Sequence, residues 1–103
     1  MLCFAIKNHQ LEKEVDEYSN FDWMSFWTLT TEEKIDKYLK ISEMLLMRKR
    51  SRHIYLQNLA RISNEDSEER RKKRFGRKIF RLGELIDILE SVLNQIELQI
   101  MVL

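Results

Sequence analysis

The sequence predicts an all-α fold: a long antiparallel helical hairpin with a short N-terminal helix and an aromatic segment packed on it. Three observations lead there. The 103 residues include no proline and two glycines, Gly76 and Gly83, whereas an all-β chain would need turn residues at many places. The composition is 44% apolar and 34% charged, which suits amphipathic helices better than a disordered chain. Apolar residues recur at helical spacing from Ile35 and form an unbroken heptad after Ile79. A chain this long makes a single domain, residues 1–103, with a modest core that self-association would supplement.

Residues 4–17 predict a short, acidic first helix of weak periodicity. Tyr18, Phe21, Trp23, Phe26 and Trp27 then place five aromatics in ten residues. Ser19, Asn20 and Asp22 among them are turn or capping types. Acidic neighbours, Glu17 and Asp22, make this segment a core plug rather than a base-stacking platform.

Thr30 and Glu33 have capping-box spacing and open the second helix. Ile35, Tyr38, Leu39, Leu45 and Leu46 continue it. The pattern weakens at Arg48–His53 and resumes with Ile54, Leu56, Leu59 and Ile62. Ser63–Ser67 reads as the interior break, with Glu65, Asp66, Glu68 and Glu69 loading the first turn of the last helix. That helix is expected from about Asp66 to near the C-terminus, about 55 Å long. A turn centred near Glu65 would place residue 50 opposite residue 80.

In the last helix Ile79, Leu82, Ile86, Leu89, Leu93, Ile96, Ile100 and Leu103 are spaced 3, 4, 3, 4, 3, 4, 3. This is an a/d register of about three and a half heptads. Leu85, Ile88, Val92, Leu98, Met101 and Val102 widen the apolar surface, so the helix needs more than one neighbour. The same face can pack on the chain's own second helix, but a helix pair alone covers little of it, so a homo-oligomer interface is also expected at Ile79, Leu82, Ile86, Leu89, Leu93, Ile96 and Ile100. Gly76 and Gly83 both fall at e positions, which predicts a close helix crossing there; the rival reading is a kink or break at Gly83.

The net charge of +1 conceals segregation. Residues 1–47 carry five Lys against nine acids, residues 48–81 thirteen Lys and Arg against four acids, and residues 82–103 four acids and no base. Eight bases fall within residues 70–81: Arg70, Arg71, Lys72, Lys73, Arg74, Arg77, Lys78 and Arg81. Crowding like charge on a helix costs a few tenths of a kcal/mol per i,i+4 pair. An anionic partner offsets it, and phosphate is the natural one. Arg48, Lys49, Arg50, Arg52 and Arg61 would join the same end of the rod. The expected partner is nucleic acid, bound with little sequence choice; a solvated charged face, an anionic lipid or an acidic protein are the alternatives.

Lys72-Lys73-Arg74-Phe75-Gly76-Arg77-Lys78-Ile79-Phe80-Arg81-Leu82-Gly83-Glu84-Leu85 resembles the signature of small TraD-type conjugal transfer proteins, the relaxosome accessory proteins of Ti-like plasmids. The shared order is a basic run, Arg77-Lys78, Ile79-Phe80, then Leu82-Gly83-Glu84-Leu85. Phe75 and Gly76 depart from it. The resemblance implies a helical, non-enzymatic helper that binds DNA or a relaxase in plasmid conjugation.

No enzyme active site is expected. His9 and His53 lack ligand spacing to each other or to Cys3, and no phosphate loop, HExxH or GxSxG occurs. Glu84, Asp87 and Glu90 share a helix edge without an ExxH pair. Catalytic residues, metal and cofactor are therefore expected to be absent. A single Cys and an N-terminus without a basic, apolar leader pattern point to a reducing, cytoplasmic setting. Acids throughout the C-terminal helix argue against a membrane span. The alternative function is a helical protein–protein adaptor or inhibitor that docks a protein partner on its apolar faces.

Overall fold

The computed structural model describes residues 5–62 and 69–101. Within them run α1 (Asn8–Ser19), α2 (Trp23–Trp27), α3 (Thr31–Ile62) and α4 (Glu69–Met101). The chain is all-α, and α3 and α4 form the long antiparallel hairpin that the periodicity predicts. The break expected at Ser63–Ser67 lies outside the described residues.

Helix boundaries follow local chemistry. The first helix begins later than expected because Ile6 is drawn elsewhere: its amide donates to the Tyr55 hydroxyl at 3.2 Å. The helix ends at Asn20, whose side-chain amide donates to the Asp16 carbonyl at 3.0 Å. Asp22 caps α2, accepting from the Ser25 hydroxyl at 2.6 Å and the Ser25 amide at 3.1 Å. These bonds hold its carboxyl below the ordinary carboxylate range.

The capping box at the start of α3 forms in both directions. The Glu33 amide donates to Thr30 Oγ1 at 3.2 Å, and the Thr30 amide donates to Glu33 Oε1 at 3.1 Å. The backbone bond lowers the pKa of Glu33 most. α3 runs unbroken through Arg48–His53, where the apolar pattern weakens. There Ser51 and Tyr55 take the inner face in place of aliphatics.

α4 extends over 33 residues, about 50 Å. Its deepest positions are Leu82, Leu85, Leu89 and Ile96, and Ile86, Val92 and Leu93 are buried beside them. The expected a/d seam is therefore buried, and the g positions Leu85 and Val92 widen it. The widening has a cause: α4 has two intrachain neighbours, α3 and α1. Leu11, Val15 and Tyr18 of α1 and Ile41 and Tyr55 of α3 join the same core.

The surface assigned to an oligomer is thus largely covered within one chain. Leu82, Leu89 and Ile96 have no exposed surface, and Ile86 and Leu93 are buried at 5% and 7%. Ile79 and Ile100 are half-buried against the core. The second neighbour demanded by the broad apolar surface is the chain's own α1.

The aromatic segment closes the open end. Phe26 is buried, and Phe21 and Trp23 pack beside it with ring centroids 5.9 and 5.7 Å away. Trp27 and Met24 stay outside this plug. The molecule measures 56 × 23 × 22 Å with a radius of gyration of 16.5 Å, against about 13 Å for a compact domain of this length.

The crossing expected at Gly83 is not found. Among the described residues, a Cβ at Gly76 or Gly83 meets nothing within 4 Å. α4 also passes through Gly83 without interruption.

Candidate nucleic-acid interface

The twelve candidate bases divide by environment. Arg48 is not a surface group: its side chain is 14% exposed and it grips Glu14, which is 3% exposed. Nε reaches Oε1 at 2.8 Å and a terminal nitrogen reaches Oε2 at 2.6 Å, a bidentate fork. Gln10 donates to the same carboxylate at 2.7 Å. Glu14 occupies the buried stripe Leu11, Glu14, Val15, Tyr18, so this pair ties α1 to α3 through the core.

Arg81 is engaged as well. It donates to both oxygens of Glu12 at 2.8 and 2.7 Å and to Glu84 at 3.1 Å. The hydrogen bond from Arg81 lowers the pKa of Glu12 and raises that of Arg81. Lys49 pairs with Glu90 at 3.0 Å, and Lys72 with Glu69 at 3.5 Å. Lys78 lies 5.1 Å from the Tyr55 ring centre and donates to its hydroxyl at 3.4 Å.

Seven candidates remain exposed without an acidic partner among the described residues: Arg50, Arg52, Arg70, Arg71, Lys73, Arg74 and Arg77. They do not form one cluster. Lys49 meets Glu90 rather than a residue near 81, and Arg52 lines a groove with Ile86, Asp87 and Glu90. The hairpin register therefore leaves Lys49 and Arg52 of α3 beside Asp87 and Glu90 of α4. Among the described residues, the densest run of cations without an acidic partner is the first three turns of α4.

A cleft of about 470 Å³ opens on that surface. Asn8, Leu11 and Glu12 of α1 form one wall; Arg71, Arg74, Phe75, Arg77, Lys78 and Arg81 of α4 form the other. Phe75 is held against Tyr55 at 5.7 Å between centroids, and the Arg71 guanidinium lies 5.8 Å from the centre of its ring. Tyr55 thus braces the N-terminal segment, Phe75 and Lys78 at once. Arg71, Arg74 and Arg77 give this cleft positive charge that can attract an anion. Among the described residues no group of three His, Cys, Asp or Glu is arranged to hold a metal ion, and no helix is long and apolar enough to cross a membrane.

The charge census of the sequence located the cationic segment but not its internal division. Glu14 carried a signal, since it falls at core spacing between Leu11 and Val15. Glu12 carried none, because its partner is 69 residues away. Phe80 also carried one: it occupies the outward b position of the Ile79 register. The chain matches no family model, no curated protein and no solved structure.

Proposed function

We propose that this protein is a non-enzymatic nucleic-acid-binding accessory protein that acts as a helical oligomer. The observation that carries the reading is the run of exposed cations Arg70, Arg71, Lys73, Arg74 and Arg77, which have no carboxylate partner among the described residues. Like charges at this density repel one another, and phosphates relieve the repulsion while releasing counterions. Backbone contact of this kind carries little sequence information. The resemblance of residues 72–85 to TraD-type accessory proteins would make the ligand plasmid DNA during conjugation.

Replacing Arg70, Arg71, Lys73, Arg74 and Arg77 with Gln should abolish retardation of DNA or RNA while leaving helicity intact by circular dichroism. A wild-type protein that retards neither nucleic acid at low salt removes the proposal.

The oligomer we propose uses α3 rather than the buried seam of α4. Ile35, Leu39, Leu46 and Leu56 lie along one edge of α3 and are 41% to 56% exposed. A second copy running antiparallel is the occupant. It sets Ile35 against Leu56 about a two-fold axis near Leu46. It also brings the basic end of one rod beside Glu32, Glu33 and Asp36 of the other. The α4 cations stay open in that arrangement.

The same stripe favours a second reading, an adaptor that docks a different protein. Salt separates the two: phosphate binding weakens steeply as salt rises, and apolar docking does not.

A further inference from the structure

Arg70, Lys73, Arg77 and Phe80 follow one another at spacings of 3, 4 and 3. On α4 this makes a single stripe about 15 Å long, and all four residues are exposed. The stripe begins with three cations and ends on an aromatic ring. Phe80 is 71% exposed, while its neighbours Ile79 and Leu82 turn into the core. Among the described residues no other ring and no cation lies against it. Phe75 differs: it belongs to the Tyr55 contact and to the core rim. Trp27 is also exposed, but it has Lys34 5.9 Å from its ring and sits at the acidic end of the rod.

We infer that Arg70, Lys73, Arg77 and Phe80 form a platform for single-stranded nucleic acid, with phosphates along the cations and an unpaired base stacked on Phe80. The inference rests on the nucleic-acid reading and adds the strand state of the ligand. An exposed ring beside a cationic track is the combination that single-strand binders use, since every base offers a π-face. Within a duplex those faces are covered by neighbouring bases, so the ring gains nothing unless the strand is open. Cations alone would bind both forms.

The test uses the full chain and measures fluorescence anisotropy with a labelled oligothymidylate and a blunt hairpin duplex at one salt concentration. Phe80→Ala should weaken oligothymidylate binding about tenfold and leave duplex binding unchanged. Phe80→Leu keeps the apolar bulk and should lose nearly as much, whereas Phe80→Trp should restore the affinity. With a ring this exposed, all three variants should match the wild type in helicity and in sedimentation.

Wild-type protein that binds both ligands, with Phe80→Ala unchanged or weakened equally on both, overturns the platform and leaves the nucleic-acid reading standing. Wild-type protein that binds neither overturns both. A Phe80→Ala protein that loses its oligomeric state instead shows that the ring belongs to a protein interface, which also overturns the platform.

Discussion

Glu14 and Arg48 show how one residue can change its meaning between sequence and structure. Each would be an ordinary surface charge on a helix in isolation. Together they are a fork at 2.6–2.8 Å in a nearly dry setting. Desolvation offsets much of the attraction in such a pair, so its net worth is small, but removing one partner strands the other charge. Glu14→Leu should therefore destabilise the fold by about 3–5 kcal/mol. Adding Arg48→Met should recover most of that loss. Urea midpoints for the two variants at equal protein concentration check this; a single variant as stable as the double would show that Arg48 finds water or another acid.

At the scale of elements, α4 is the informative one. It combines a cationic first half, an apolar second half and two glycines without leaving the helical conformation. Glycine inside a helix costs about 1 kcal/mol relative to Ala. Here no described residue within 4 Å justifies the missing Cβ at position 83. Gly83→Ala should thus raise stability by about 0.5–1 kcal/mol, seen as a higher melting temperature. A drop in melting temperature would reveal a close neighbour that a single chain does not contain, such as the helix of a second copy. The α3 capping box makes the opposite point: Thr30 and Glu33 were legible because every contact lies within one turn.

The whole molecule is a charge-segregated rod with an apolar edge, and both properties bear on association. Its elongation leaves more surface per residue than a compact domain has. The proposed antiparallel pairing across α3 uses that surface. Leu39→Asp with Leu46→Asp should convert an associated protein to a folded monomer by sedimentation, since both positions are more than half exposed in the chain alone. Raising salt should also loosen the pair modestly, through screening of its complementary ends. A wild-type protein that sediments as a monomer at high micromolar concentration would end this part of the proposal.

Local pattern determined a good deal by itself. Helical class, the boundary at Thr30, the heptad of α4 and the position of the basic run are all written in spacings of three and four residues, and short-range hydrogen bonds and dipoles enforce them. Only the tertiary structure decided what covered the seam of α4 and its flanking g positions, because that depended on α1 arriving as a second neighbour. It alone decided which bases were neutralised: Arg48 by Glu14 and Arg81 by Glu12 are pairings across 34 and 69 residues. Sequence spacing carries no information about contacts of that range. They arise from how three helices share one core, and that shared packing left the cations at the start of α4 uncovered.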